Sequence, residues 1–156
     1  GEHDYVPMLL RELGMDLKIS KLRIKPGKPF VFATRDRAGG RAGGPAGNSA
    51  MVFGLPGNPV SAYVCTLRLA SRIISRLAGG AADSSIRPRS LVGDLPANGP
   101  RELYLPAVEN EATVRPLQTN GSADLFTLAA ANAFILRREN AEEAAAGASV
   151  ESVGLL

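Results

Sequence analysis

The sequence predicts an α/β segment followed by a small all-β barrel-like domain, on three observations. First, Ala50-Met51-Val52-Phe53-Gly54 is a short apolar run, Leu55-Pro56-Gly57-Asn58-Pro59 a turn, and a helical pattern continues to Leu77. Second, from residue 84 the chain turns to short extended runs split by turn clusters. Third, the charge changes sign between the two parts: residues 1–80 carry 12 Lys+Arg against 5 Asp+Glu, residues 81–156 carry 6 against 10. Ala78-Gly79-Gly80 stops the helix there and begins a linker. The expected division is therefore 1–80 and 84–156. A chain of 156 residues suits one ordinary domain or two small ones.

The elements follow in order. Asp4 can cap a short helix with Pro7 in its first turn, Met8, Leu9, Leu10 and Leu13 on its apolar side and Gly14 as its stop. Leu17 to Thr34 reads as extended segments around a Lys-Pro-Gly-Lys-Pro turn. Residues 35–49 are rich in Gly, Ala and Arg and have little to bury, so they read as a solvated loop, with phosphate binding by the arginines as the alternative. Ala50–Gly54 fits a strand buried on both faces. In the helix after it, Val60, Val64, Leu67, Ile74 and Leu77 make the buried side, Arg68, Arg72 and Arg76 an exposed row, and Cys65 an inert core residue. Beyond residue 84, strands are expected at Ser90–Val92, Leu103–Val108, Thr113–Leu117, Ala133–Arg137 and Ser149–Val153, with a helical turn or two from Leu125 to Ala131. Four or five such strands make a small barrel or sandwich.

Composition excludes several classes. No uninterrupted apolar stretch reaches the ~18 residues of a membrane span. The N-terminal GEHDYVPMLL is acidic and lacks the cationic start of a signal peptide. One cysteine makes neither a disulfide framework nor a zinc cluster of cysteine pairs. His3 is the only histidine and stands at the chain end, so no nucleophile–His–acid set is credible. The basic segment has no interleaved aromatics and the second half is acidic, which argues against nucleic acid.

Net charge is only +3, yet all four lysines (Lys18, Lys21, Lys25, Lys28) fall within eleven residues. On a strand, Lys21, Arg23 and Lys25 would share one face at ~7 Å spacing and repel unless solvated or neutralised by an anion. Pro26 and Pro29 fix their φ angles and Gly27 permits a bend, which holds Lys28 near a rigid corner suited to an oxyanion. Edge-strand protection by lysines is the competing reading. At the second candidate, Asn58 can be the N-cap and Pro59 the first helical residue. First-turn N–H groups and Ser61 are then left to meet an anion, unless the turn is only a well-capped helix start. Glu2-His3-Asp4 could contribute to a hard-cation site, or be a cap and solvated charges.

Three of these stretches, in this order, resemble one family. Gly1-Glu2-x-Asp4-Tyr5, then IKPGKPF-x-F from Ile24, then VFGLPGNPVSAYV from Val52 are similar to the MoeA-type molybdopterin molybdotransferases, which include the E domain of gephyrin. Gly121-Ser122, Ala130-Ala131-Asn132 and a closing Gly-x-x-Val element agree. The resemblance implies insertion of molybdate into the dithiolene of adenylylated molybdopterin, with Mg²⁺ needed and AMP released. It carries Asp4 to the active-site aspartate that works with the metal, and Lys21 and Lys25 to functional lysines. Lys25, Lys28 and Pro29 fall on the oxyanion corner. Pro56 and Pro59 shape the pocket, with Gly57 and Asn58 in the same turn and Ser61 beside it. Where the family has Arg-x-acidic-Phe-x-Arg, this chain has Pro100-Arg101-Glu102-Leu103-Tyr104-Leu105. Arg101 stands in from a neighbouring position, Leu105 replaces the second arginine, and Arg101 and Ser122 complete the candidate oxyanion residues. The family has four domains. Residues 1–80 are expected to be the last part of its three-layer molybdopterin-binding α/β domain and 84–156 the complete fourth. The parent would be a cytoplasmic homodimer acting on small molecules, with no nucleic acid or membrane partner and little turnover by this part alone. The alternative is a non-catalytic binding or scaffold module.

Overall fold

The computed structural model describes residues 5–35, 50–81 and 86–155. They form two compact units: the described residues of 1–22 and 29–55, and those of 23–28 and 56–156. The change of charge sign near residue 80 falls inside the second unit.

In the first unit, helix α1 (Val6–Glu12) precedes strand β1 (Asp16–Ile19). Pro7 lies in its first turn, and Gly14 at φ +71° ends it, where an L side chain would be strained. Only Leu10 of the expected apolar side is buried; it packs on Met15, Val31 and Ala33, while Met8, Leu9 and Leu13 are exposed. Strand β3 (Val31–Arg35) lies between β1 and β4 (Ala50–Gly54), antiparallel to both. Alternation turns Val31 and Ala33 towards α1 and puts Phe32 on the other face, stacked on Phe53 at 5.2 Å. The reading of Ala50–Gly54 as buried on both faces is corrected: β4 is an edge strand and Met51 is exposed. An apolar run gives the strand, but its neighbours decide its burial. The 36–49 part of the expected loop lies outside the described residues.

In the second unit, β2 (Ile24–Lys25) is followed after residue 55 by α2 (Pro59–Cys65), a π turn (Thr66–Ala70) and α3 (Ser71–Leu77). Strands β5 (Ile86–Leu91), β6 (Glu102–Glu109), β7 (Thr113–Pro116), β8 (Ala133–Arg137) and β9 (Ser149–Gly154) complete it, with α4 (Leu125–Ala130) between β7 and β8. Pairing runs β6-β7-β5-β9-β8 and returns from β8 to β6, so five strands close on themselves. Of barrel and sandwich, the structure is the barrel. Leu103 pairs with Lys25 on one side and Arg137 on the other, and Ala107 pairs with Pro116 and Ala133. Short β2 therefore lies on the same side of β6 as β7, next to the start of β6 that β7 leaves unpaired.

Strand β8 is buried throughout, because it separates two apolar layers. Ile135 joins Leu91, Leu95, Ala107, Val114 and Val150 in one cluster, and Phe134 and Leu136 join Val60, Val64 and Leu67 of the helical segment in another. The expected buried side of that helix holds only as far as Leu67. An i→i+5 turn adds a residue and rotates later positions by roughly 100°. Ile74 and Leu77 are accordingly 55% and 65% exposed. The expected exposed arginine row is corrected too: Arg68 and Arg72 are half-buried, and Arg68 Nε donates to the Tyr104 hydroxyl at 3.1 Å.

Candidate functional site

The lysine corner is built on a very short strand. From Lys21 to Pro26 burial alternates as expected, with Lys21, Arg23 and Lys25 exposed and Leu22, Ile24 and Pro26 half-buried. Only Ile24 and Lys25, however, find a partner strand, opposite Glu102 and Leu103. The three-cation strand is thus corrected to a two-residue one. Arg23 is neutralised by Glu139 at 2.7 Å and donates to the Pro100 carbonyl, and Lys18 pairs with Asp16. Lys25 and Lys28 are exposed and have no ion-pair partner among the described residues. Lys21 and Pro29 belong to the first unit, whereas Lys25 and Lys28 belong to the second.

A cis Lys25–Pro26 bond and Gly27 at φ +119° shape the turn after β2. Gly27 is buried, and a Cβ there would lie 2.7 Å from Ile24 Cδ1 and 2.9 Å from Cys65 Sγ. Cys65, at the end of α2, is fully buried, and burial pushes its thiol up to about 11. It therefore stays protonated at neutral pH and donates to the Gly27 carbonyl at 3.5 Å. Sequence had given Cys65 only a core place, and no local pattern marks its contact with a glycine 38 residues earlier.

At the other end of α2, Asn58 has extended N-cap backbone and Pro59 opens the helix. The Asn58 side chain makes no capping bond. It donates through Nδ2 to Ser122 Oγ at 2.8 Å, while Val60 N–H donates to the Ser122 carbonyl at 3.1 Å. The first-turn donors expected for an anion are thus largely spent, since Pro59 has no N–H and Val60 uses its own. Ser61, expected to be left to meet an anion, is 5% exposed. Pro56 is buried, and Gly57 is exposed with open space around its Cα.

Ser122 sits in a turn secured from within. Gly121 takes φ +110°, and Asp124 accepts from Asn120 N–H at 3.0 Å and Thr127 N–H at 3.0 Å. Those bonds lower the Asp124 carboxyl to about 2. The Arg101 carbonyl accepts from Asn98 Nδ2 at 2.9 Å, which fixes its backbone at the start of β6. Beside it, Tyr104 donates to Glu102 and accepts from Arg68; burial, then the Glu102 bond, raise its phenol to about 12. This network escaped the sequence reading. Asp4, Glu2 and His3 lie outside the described residues. Among the described residues no three His, Cys, Asp or Glu side chains gather as a metal group.

A closed five-stranded barrel, with a proline-opened helix on its outer face and a lysine turn laid on that helix, defines a small β-barrel module. Residues 90–155 match the family described as the MoeA C-terminal region, domain IV, and the chain is accordingly MoeA-like. It is 32% identical over 108 residues to the molybdopterin molybdenumtransferase of Nostoc sp., covering 67% of this chain and 22% of that protein. With the Haemophilus influenzae protein of the same name it shares 28% over 159 residues, covering 96% and 36%. The molybdopterin biosynthesis MoeA protein of Pyrococcus horikoshii has the same fold, with a TM-score of 0.76 at 22% identity over 97% of this chain and 34% of that one. The chain thus spans about a third or less of the length of these relatives.

Proposed function

We propose that this chain is the C-terminal part of a molybdopterin molybdotransferase, which inserts molybdate into adenylylated molybdopterin and releases AMP. In this reading residues 1–80 end the molybdopterin-binding α/β domain and residues 84–156 are the β-barrel domain after it. The parent is a cytoplasmic homodimer with small-molecule substrates. In the structure itself, no helix of the described residues is long and apolar enough to cross a membrane.

One observation carries the reading. The Lys25–Lys28 corner rests on the C-terminal residue of α2 through Gly27 and Cys65, and the Ser122 turn is bonded at the N-terminal end of the same helix. From Val60 to Cys65 the helix rises only about 7.5 Å. Two lysines with no ion-pair partner among the described residues and a hydroxyl are thereby carried on segments tied to one short helix. That donor set suits a tetrahedral dianion, which is bound best by charge-assisted hydrogen bonds from preorganised groups. Arg101, the residue before the Glu102 that pairs with Ile24, is the candidate for further positive charge. The Mg²⁺ implied by the resemblance would draw on Asp4, which lies outside the described residues, and among the described residues no three His, Cys, Asp or Glu side chains gather to add to it.

Molybdate titration by calorimetry tests the oxyanion site. Lys25→Ala or Lys28→Ala should weaken binding by about tenfold; unchanged affinity in both would refute it. Incubation with adenylylated molybdopterin, Mg²⁺ and molybdate should release no AMP, and robust release would refute the assignment of this chain as only part of the enzyme.

A further inference from the structure

We propose that Asn58 is a positioning residue that turns the Ser122 hydroxyl into an oxyanion donor, an inference that rests on the oxyanion-binding reading above. The Asn58 amide nitrogen can only donate, so at 2.8 Å the Ser122 Oγ must accept. The hydroxyl proton of Ser122 is then left over, and among the described residues nothing accepts it. An oxyanion, which only accepts, is a partner suited to that proton.

The serine is held so that little but this O–H can rotate. Its carbonyl takes the Val60 N–H at 3.1 Å, and its turn is closed by Asp124 on Asn120 and Thr127. Asn58 occupies the N-cap position but leaves the capping bond unmade, forgoing that helix stabilisation. Its side chain reaches instead to a residue 64 positions away. At the helix end Pro59 has no N–H and Val60 spends its own on the Ser122 carbonyl.

Molybdate titration of the full chain tests this with Asn58→Ala, Ser122→Ala, the double variant and Asn58→Asp. Each single alanine variant should weaken binding by about tenfold, and the double variant no further, since Asn58 acts through Ser122. Asn58→Asp places a good N-capping side chain at the helix start, so it folds even if the alanine variant does not. Its carboxylate accepts the Ser122 proton and should weaken binding at least as much. Wild-type affinity in Asn58→Asp, or a double variant equal to the product of the singles, would overturn the inference. If Lys28→Ala weakens molybdate binding while Ser122→Ala does not, the inference falls and the oxyanion site stands. If no lysine variant has an effect, or the chain binds no molybdate, both fall.

Discussion

Asn58 and Ser122, 64 residues apart, meet at 2.8 Å through side chains, and the Ser122 carbonyl takes the N–H of Val60 two residues into the helix. One side-chain bond and one backbone bond thus tie the start of α2 to the turn before α4. The helix start gets its donor satisfied by a distant loop, not by its own cap. Register between helix and barrel is fixed by this junction as well as by the packing of Val60, Val64 and Leu67 on Phe134 and Leu136.

Gly27→Ala should loosen the lysine corner. The residue has φ +119°, and a Cβ would meet Ile24 and Cys65 below 3 Å. Left-handed strain and overpacking together should cost about 2–4 kcal/mol. Urea unfolding followed by circular dichroism measures this, and adding Cys65→Ala should recover part of the loss by removing the sulfur. No recovery would show that the backbone conformation alone sets the cost.

Phe134→Ala should be far costlier. The ring is fully buried between Tyr63 and Tyr104, with centroids at 6.2 and 6.3 Å, and its loss should cost about 3–5 kcal/mol. Phe126→Ala is the contrast: at 92% exposure it should change stability by less than about 0.5 kcal/mol. The same unfolding measurement separates the two phenylalanines.

These two residues also show what the sequence could and could not tell. The barrel strands were legible because alternating apolar positions and turn clusters are local, and so was the proline-opened helix. Burial was not. Ala50–Gly54 and Ala133–Arg137 are equally apolar five-residue runs, yet the first is an edge and the second separates two cores. The π turn has no residue signature, so Ile74 and Leu77 looked like a continued buried side. At the candidate site, lysines and prolines were visible as a pattern, whereas Asn58–Ser122 and Gly27–Cys65 depend on how the chain folds back. An asparagine before Pro-Val-Ser reads as a cap whichever partner its side chain takes.

Alkaline pH should expose two buried protons. Burial raises Cys65 to about 11, and burial with the Glu102 bond raises Tyr104 to about 12. Unfolded, these groups ionise near 8.5 and 10. Between the two values the unfolded chain loses protons that the folded chain keeps, so stability is full below the unfolded pKa and falls as pH rises through the folded one. Denaturation midpoints from pH 8 to 12 should therefore decline. Tyr104→Phe should flatten the upper part of the decline and Cys65→Ala the lower part. A slope unchanged in both variants would place its cause elsewhere.

Acid should act on the Ser122 turn through Asp124. Its carboxylate accepts from the N–H groups of Asn120 and Thr127 and from the Thr127 hydroxyl, which lowers it to about 2. An unfolded aspartate titrates near 3.9. With the folded value depressed, the contribution is complete above the unfolded pKa and is lost as pH falls towards 2. Asp124→Ala should accordingly lower the thermal midpoint at pH 7 and lose that difference at pH 2. Because Asp124 closes the turn that carries Ser122, the variant should also weaken molybdate binding at pH 7. Thermal melts at pH 2, 3, 4 and 7 check the first part, and a difference that persists undiminished at pH 2 would show that the carboxylate's charge is not what holds the turn.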